Sequence, residues 1–342
     1  GRASDVHPWD TVLDGLSHHD GERLNGTAGT IPQTAENATM QLRRNPLGRS
    51  GVFVAELGLG GAGIGGPDVS DSEAVATVEL ALQSGIDFID TSPLYAESER
   101  RLGIALRGVP RYSYVLSTKT GTHPLRRGDY SRDSTLWSIE NSLRLLGTDH
   151  LDIAFVHDPE SLEPVFAPDG ALETLEQLKS DGVVKAIGLG QRRHDFHRFA
   201  VESGRFDVIL TFNDYHPLRT TALTSGLLGI ATDADVGVVN GSPLGLGLLV
   251  ADPHDPASKS RHGWQTREWS LLPRYQDFCR AHGLPPEAVA LQFSLRQPRI
   301  HCTLTGARDT SELAENLRAL HTEVPPAFWD QLAETGFTRD QT

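Results

Sequence analysis

Eight short runs rich in β-branched and other apolar residues alternate with longer stretches of helical period, and this alternation leaves few architectures open to the chain. The runs are 52–60 (VFVAELGLG), 87–90 (DFID), 114–119 (YVLSTK), 151–157 (LDIAFVH), 184–189 (VKAIGL), 207–212 (DVILTF), 236–241 (VGVVNG) and 302–306 (CTLTG). Helical patterns fall near 71–84, 97–107, 134–146, 169–181, 194–203, 218–230, 271–282 with 286–296, and 309–320. Strands that alternate with helices make parallel β-α units. Eight such pairs in a chain of 342 residues predict an α/β fold of the closed (β/α)8 TIM barrel type. An open doubly wound sheet is the alternative, with fewer strands as its usual count. Punctuation agrees with these bounds: Gly182 and Gly283 stand where helices need a left-handed last residue, and Pro285 and Pro286 open the helix that follows.

The formal charge of -14, with basic residues scattered, excludes the concentrated cationic face that nucleic acid or an anionic membrane requires. Cys279 and Cys302 form no ligand pattern and are too few for a disulfide framework, so both are expected to be reduced, and no metal site is expected. No run approaches the ~18 apolar residues of a membrane span, and the start has neither a basic n-region nor an apolar h-region. A cytoplasmic protein acting on a small molecule is the expectation. Residues 1–39, rich in Gly, Asp, His, Asn and Thr, read as an N-terminal extension or arm, and 40–342 as the barrel, beginning at the single methionine, Met40. The polar stretch 251–270 interrupts the seventh unit on the face where barrels bind ligands, which makes it either a lid or a surface loop.

Residues at the C-terminal ends of barrel strands converge on one mouth. The second run ends in Asp90 and is followed by Tyr95; the third ends in Lys119; the fourth ends in His157. A carboxylate and an ammonium on neighbouring strands can pair, and an ammonium beside a phenol favours the phenolate, so Tyr95 is expected to have a lowered pKa and to serve as general acid or base. His157 is expected to orient a substrate oxygen through a ring nitrogen. Singly, each residue has an ordinary structural use; three apolar strands that all terminate in a titratable group do not.

The segment GIDFIDTSPLYAESERRLGIAL (85–106) resembles the aldo-keto reductase signature, with an Asp at a strand end, Tyr five residues on, then Ser-Glu and Leu-Gly. STKTG (117–121) and DIAFVHDPE (152–160) are similar to that family's strand-three Lys and strand-four His. The resemblance spans roughly 40–336 and implies Asp90, Tyr95, Lys119 and His157 as a catalytic tetrad. DTSPLY, VHDPE, SPLGLGLL (242–249) and VALQFSL (289–295) look most like the branch of L-galactose dehydrogenase and D-threo-aldose 1-dehydrogenase, which implies oxidation of a sugar hydroxyl, or reduction of a carbonyl, with NAD or NADP.

The resemblance also implies a pyrophosphate held by Ser242, Leu244 and Gly245, and an adenosine end held by Gly306, Ala307, Arg308, Glu315 and Asn316. Three departures stand out. The family's Ser-Asn grip on the carboxamide is here Gly190 and Gln191, so Gln191 must substitute or the grip is looser. The usual Gln aligns with Phe212, and the stacking aromatic aligns with Gly241. An Arg common in NADP-using members aligns with Glu312, whose carboxylate would repel a 2′-phosphate, although Arg308 is close by; this favours NAD. Two other readings stay open: a cofactor-binding regulatory barrel without turnover, and an epimerase or lyase that returns its hydride. The loops 123–132, 191–197 and 251–270, rich in Arg and His, suit a polyhydroxylated or acidic ligand.

Overall fold

The structure is a computed structural model that describes residues 42–338; the expected arm, 1–39, lies outside the described residues. Ten strands are present: β1 (Arg44–Pro46), β2 (Phe53–Ala55), β3 (Leu57–Gly60), β4 (Phe88–Asp90), β5 (Val115–Thr120), β6 (Leu151–His157), β7 (Val184–Gly190), β8 (Val208–Phe212), β9 (Gly237–Gly241) and β10 (Cys302–Gly306). The strands β3 to β10 pair in parallel in chain order, and β10 returns to β3, closing an eight-stranded barrel. This is the (β/α)8 architecture expected from the alternation.

Two expectations change in detail. The run 52–60 is divided at Glu56: β2 turns away to pair antiparallel with β1, and only β3 enters the barrel. Glu56 enforces the break, because its carboxylate takes the backbone N–H of Arg43 at 3.1 Å and the guanidinium of Arg43 at 2.5 Å. The helical stretch 218–230 is two short helices, Thr221–Thr224 and Leu227–Asp233, parted by Gly226 at φ +80°. A residue in the left-handed region cannot continue a right-handed helix. The expected stops at Gly182 and Gly283 do adopt φ of +78° and +68°.

Alternation along each strand sorts its side chains between two cores. Phe88, Val115, Ile153, Phe155, Ala186, Val208, Leu210, Val239 and Leu304 fill the barrel interior. Ile89, Leu116, Ala154, Val156, Ile187 and Leu189, one residue out of phase, pack under the surrounding helices. Leu47, Val52 and Val54 of the β1–β2 hairpin join the interior cluster and stop the barrel at its N-terminal end. Gly237 has the space for this, since a Cβ there would come within 2.6 Å of the Leu47 side chain. Cys279 and Cys302 are buried free thiols. Among the described residues no helix is long and apolar enough to cross a membrane.

Candidate active site

The same period of two that puts Phe88, Val115 and Phe155 inside the barrel carries Asp90, Lys119 and His157 inward at its C-terminal end. All three are buried, as is Tyr95 on the loop after β4. Lys119 Nζ donates to Asp90 Oδ2 at 2.6 Å and to the Thr91 carbonyl at 2.7 Å, while the Ser117 hydroxyl donates to Asp90 Oδ1 at 2.6 Å. The ammonium stands 4.8 Å from the centre of the Tyr95 ring. His157 meets Tyr95 edge-on, with ring centres 6.3 Å apart. The four residues expected to act together therefore share one buried group.

Their electrostatics differ from the expectation at one point. The Tyr95 phenol is pushed well above its ordinary pKa, first by burial and then by the carboxylates of Asp90 and Asp158. Lys119 does not lower it, because the Asp90 carboxylate already balances the ammonium. Burial pulls the Lys119 pKa downward, and Asp90 opposes that pull. The resting state is thus a neutral phenol over a compensated ion pair, which is the form of a proton donor.

Four residues that the strand-end argument missed hold His157. Its Nδ1 lies 2.7 Å from the Thr122 hydroxyl and 3.5 Å from that of Ser92. Its Nε2 lies 3.6 Å from Asp158 Oδ2, and its carbonyl accepts from the Tyr130 hydroxyl at 2.7 Å. Asp158 is in the left-handed region at φ +42°, a conformation that costs energy for a residue with a Cβ and so is a sign of local constraint. These residues sit in loops, where no periodicity marks them; for Ser92, Thr122 and Asp158 the place just after Asp90, Lys119 or His157 could have, and for Tyr130 nothing could.

Opposite the charged group the inward positions carry almost no side chain. Counting by twos from Gly58, Ala186, Val239 and Leu304, the last inward residues are Gly60, Gly190, Gly241 and Gly306. A Cβ at Gly306 would meet nothing within 4 Å, and at Gly60, Gly190 and Gly241 it would reach its nearest neighbours at 3.6, 3.6 and 3.4 Å. The resulting cradle is lined by backbone and closed on one side by Phe212, which is partly buried. It fits a flat ring, and the nicotinamide of a dinucleotide is such a ring.

The remaining expected cofactor residues lie on the loops after β7, β9 and β10 and on the helix Thr310–His321. The turn 242–247 is tightly wound, with Ser242 and Gly245 at φ +59° and +64°, and Leu244 leans on a cluster of buried apolar residues. Gln265, from the 251–270 stretch, donates to the Gly245 carbonyl at 3.1 Å and accepts from Asn213 at 3.0 Å. That stretch is not an irregular loop: it contains the helix Pro256–His262 and the start of another, Thr266–Ala281. Gln191 spends its amide locally, donating to the Pro159 carbonyl at 2.9 Å and accepting from the Arg192 N–H at 2.7 Å. Its carbonyl faces His197 Nε2 at 2.7 Å, so Gln191 secures its own loop.

After β10, Ala307 is buried against Gly63, and Asn316 donates to the Gly306 carbonyl at 3.0 Å. Glu312 clasps Arg308 at 2.7 Å and takes its backbone N–H at 2.9 Å. Asp309 caps the helix Thr310–His321 through the Glu312 N–H at 2.9 Å. Arg308 and Asp309 line a pocket of about 160 Å³ with Asp68 and Glu73, so carboxylates outnumber the cation there. Glu315 is exposed and lies 3.7 Å from Arg318.

Comparison with known proteins agrees with this geometry. The aldo/keto reductase family profile matches residues 56–336. The chain is similar to D-threo-aldose 1-dehydrogenase of a Pseudomonas species, 32% identical over 313 residues, covering 83% of this chain and 95% of that protein. It is also similar to L-galactose dehydrogenase of Arabidopsis thaliana, 33% identical over 304 residues, covering 83% and 90%. The solved structure of PA4992 from Pseudomonas aeruginosa, 24% identical, shares the fold with a TM-score of 0.63 over 83% of this chain and 98% of that one. With the barrel, the buried tetrad and these matches together, the chain belongs to the aldo/keto reductase family of NAD(P)-dependent oxidoreductases.

Proposed function

We propose that the protein oxidises an aldose at its anomeric hydroxyl, with NAD as the preferred dinucleotide and with Asp90, Tyr95, Lys119 and His157 as its catalytic group. The observation that carries this is the burial of the tetrad opposite a glycine-lined cradle, reinforced by the aldose dehydrogenases among its relatives. Gly60, Gly190, Gly241, Gly306 and Phe212 would hold the nicotinamide, and the loop 242–247 the pyrophosphate. When bound, the cofactor supplies the acceptor or donor of hydride.

The chain's own residues handle the proton and the orientation. His157, fixed at Nδ1 by Thr122, presents its Nε2 edge to a substrate oxygen. Tyr95 exchanges the proton on that oxygen: the neutral phenol donates it to a carbonyl, and the phenolate takes it from a hydroxyl. Lys119 and Asp90 keep the charge beside the phenol fixed in direction and nearly balanced.

The NAD preference rests on the carboxylates at the adenosine end. Arg308, the cation nearest to where a 2′-phosphate would lie, is already clasped by Glu312. Two measurements test the reading. Purified protein should reduce NAD over a panel of aldoses, with the ratio of kcat/KM for NAD to that for NADP above one. In Glu312→Gln that ratio should fall at least fivefold, about 1 kcal/mol by RT ln 5. No cofactor reduction with any aldose or aldehyde would remove the activity, and a ratio below one would remove the preference.

A further inference from the structure

Arg192 stands out at the mouth as a cation without a counterion. It follows Gly190 and Gln191 at the end of β7, and Gln191 is tied by its N–H to the Leu210 carbonyl at 3.2 Å, which fixes the loop that presents Arg192. Its Nε is buried with no hydrogen-bond partner, and its guanidinium makes no ion pair among the described residues. The carboxylates whose fields reach it are engaged with other side chains. Asp214 faces His194 at 3.2 Å and accepts from Thr211 at 2.9 Å, and Glu268 is held by Arg219 at 2.9 Å. Asp158 lies beside His157. Burial pulls the Arg192 pKa below its usual value, yet a guanidinium of that basicity keeps its charge.

Arg192 is partly buried, with its Nε shut off from water and facing no acceptor, and a polar group left in that state is unfavourable. Such a cost persists at a binding site when a ligand supplies the missing anion. Trp264, itself exposed, stands near Arg192 with its ring centre 6.0 Å from the guanidinium carbon. Trp264 precedes Gln265, which bonds to the 242–247 turn, so the 251–270 stretch carries an aromatic plate from that turn across to Arg192. A guanidinium beside an aromatic ring keeps its in-plane N–H groups free for a planar or tetrahedral oxyanion.

We propose that Arg192 is an oxyanion-binding residue of the mouth, backed by Trp264, that receives a phosphate or carboxylate oxygen of the bound ligand. The proposal deepens the functional reading and rests on it for the identity of the ligand. The oxyanion has two sources, the diphosphate of the dinucleotide or the carboxylate of a sugar acid.

Arg192→Gln in the full chain tests it, with two arms. In the first, the dissociation constants of NADH and of inorganic pyrophosphate are measured against wild type. In the second, D-glucuronate binding is measured against D-glucose. The expected result is a loss of at least tenfold in one arm: in the first for a diphosphate ligand, or in the D-glucuronate to D-glucose ratio for a carboxylate. The ligand-free variant should have a Tm equal to or above wild type, since a partly buried charge without a counterion has gone; a purely structural arginine would lower it. Arg192→Lys should recover part of the affinity, because a point charge keeps attraction without the fork. Unchanged affinities in both arms overturn the proposal, as does wild-type protein that binds none of these anions. Failure of the functional reading looks different: NADH binds and depends on Arg192, but no aldose is oxidised.

Discussion

The two halves of the barrel mouth are built from opposite materials. From β4 to β6 the last inward residues are Asp90, Lys119 and His157, buried and bonded to one another or to loop hydroxyls. From β7 round to β3 they are Gly190, Phe212, Gly241, Gly306 and Gly60, with four of the five offering only backbone. One scaffold thus gives a reactive wall and a bare wall at the same height. The reactive wall can hold and move a proton; the bare wall can only make room. Each half should therefore fail in its own way when altered.

The largest effect is expected on the reactive wall. Tyr95→Phe keeps the ring and removes the proton, so turnover should fall by about 10²–10⁴-fold, the usual worth of a positioned general acid, with the dinucleotide dissociation constant unchanged. Steady-state kinetics beside a fluorescence titration reads both, and a variant that keeps a tenth of the rate would strip Tyr95 of its role. Asp90→Ala comes next, because it strands the Lys119 ammonium in a site where 1% of that side chain is exposed. Losing one partner of a buried pair costs about 3–5 kcal/mol, which thermal or urea unfolding will show. Adding Lys119→Met to that variant should return much of the stability, and no recovery would mean that the pair is not coupled.

The pH dependence sharpens the comparison through the raised phenol. A group with a raised pKa stays protonated as pH climbs through neutrality, so carbonyl reduction should be level from about pH 6 to about pH 9. Alcohol oxidation needs the phenolate, and log kcat should rise by about one per pH unit over the same range where proton transfer limits turnover. A plateau in oxidation beginning near neutral pH would show that Lys119 dominates the phenol after all. The smallest effect is expected on the bare wall: Gly306→Leu, where a Cβ meets nothing within 4 Å, should leave Tm unchanged and weaken NADH binding about tenfold, near 1.4 kcal/mol. Equal affinity in that variant would place the ring elsewhere.

Much of the reactive wall was legible in the sequence, whereas the bare wall was legible as separate residues but not as one surface. Asp90, Lys119 and His157 each end an apolar run, and strand period plus barrel topology is enough to bring such residues together. The state of Tyr95 was misjudged because neighbour charge can be guessed from order along the chain, whereas desolvation depends on depth, which needs coordinates. Gly190 and Gly241 looked in sequence like two lost contacts with the cofactor. In three dimensions they are the last inward positions of their strands, as Gly60 and Gly306 are, a relation that requires the strand bounds and their closure into a barrel. The break at Glu56 was hidden for a simpler reason: apolar content is the same on both sides of it, and only the contact of Glu56 with Arg43 separates β2 from β3.

The β1–β2 hairpin, with Leu47, Val52 and Val54 pressed into the floor of the barrel beneath a filled interior, leaves only the opposite end open. Whatever lies deepest must arrive first and depart last, because traffic in both directions shares one doorway. A nicotinamide seated against the glycines, as proposed, would then stand between the substrate and the floor, and the two ligands would have to come and go in sequence.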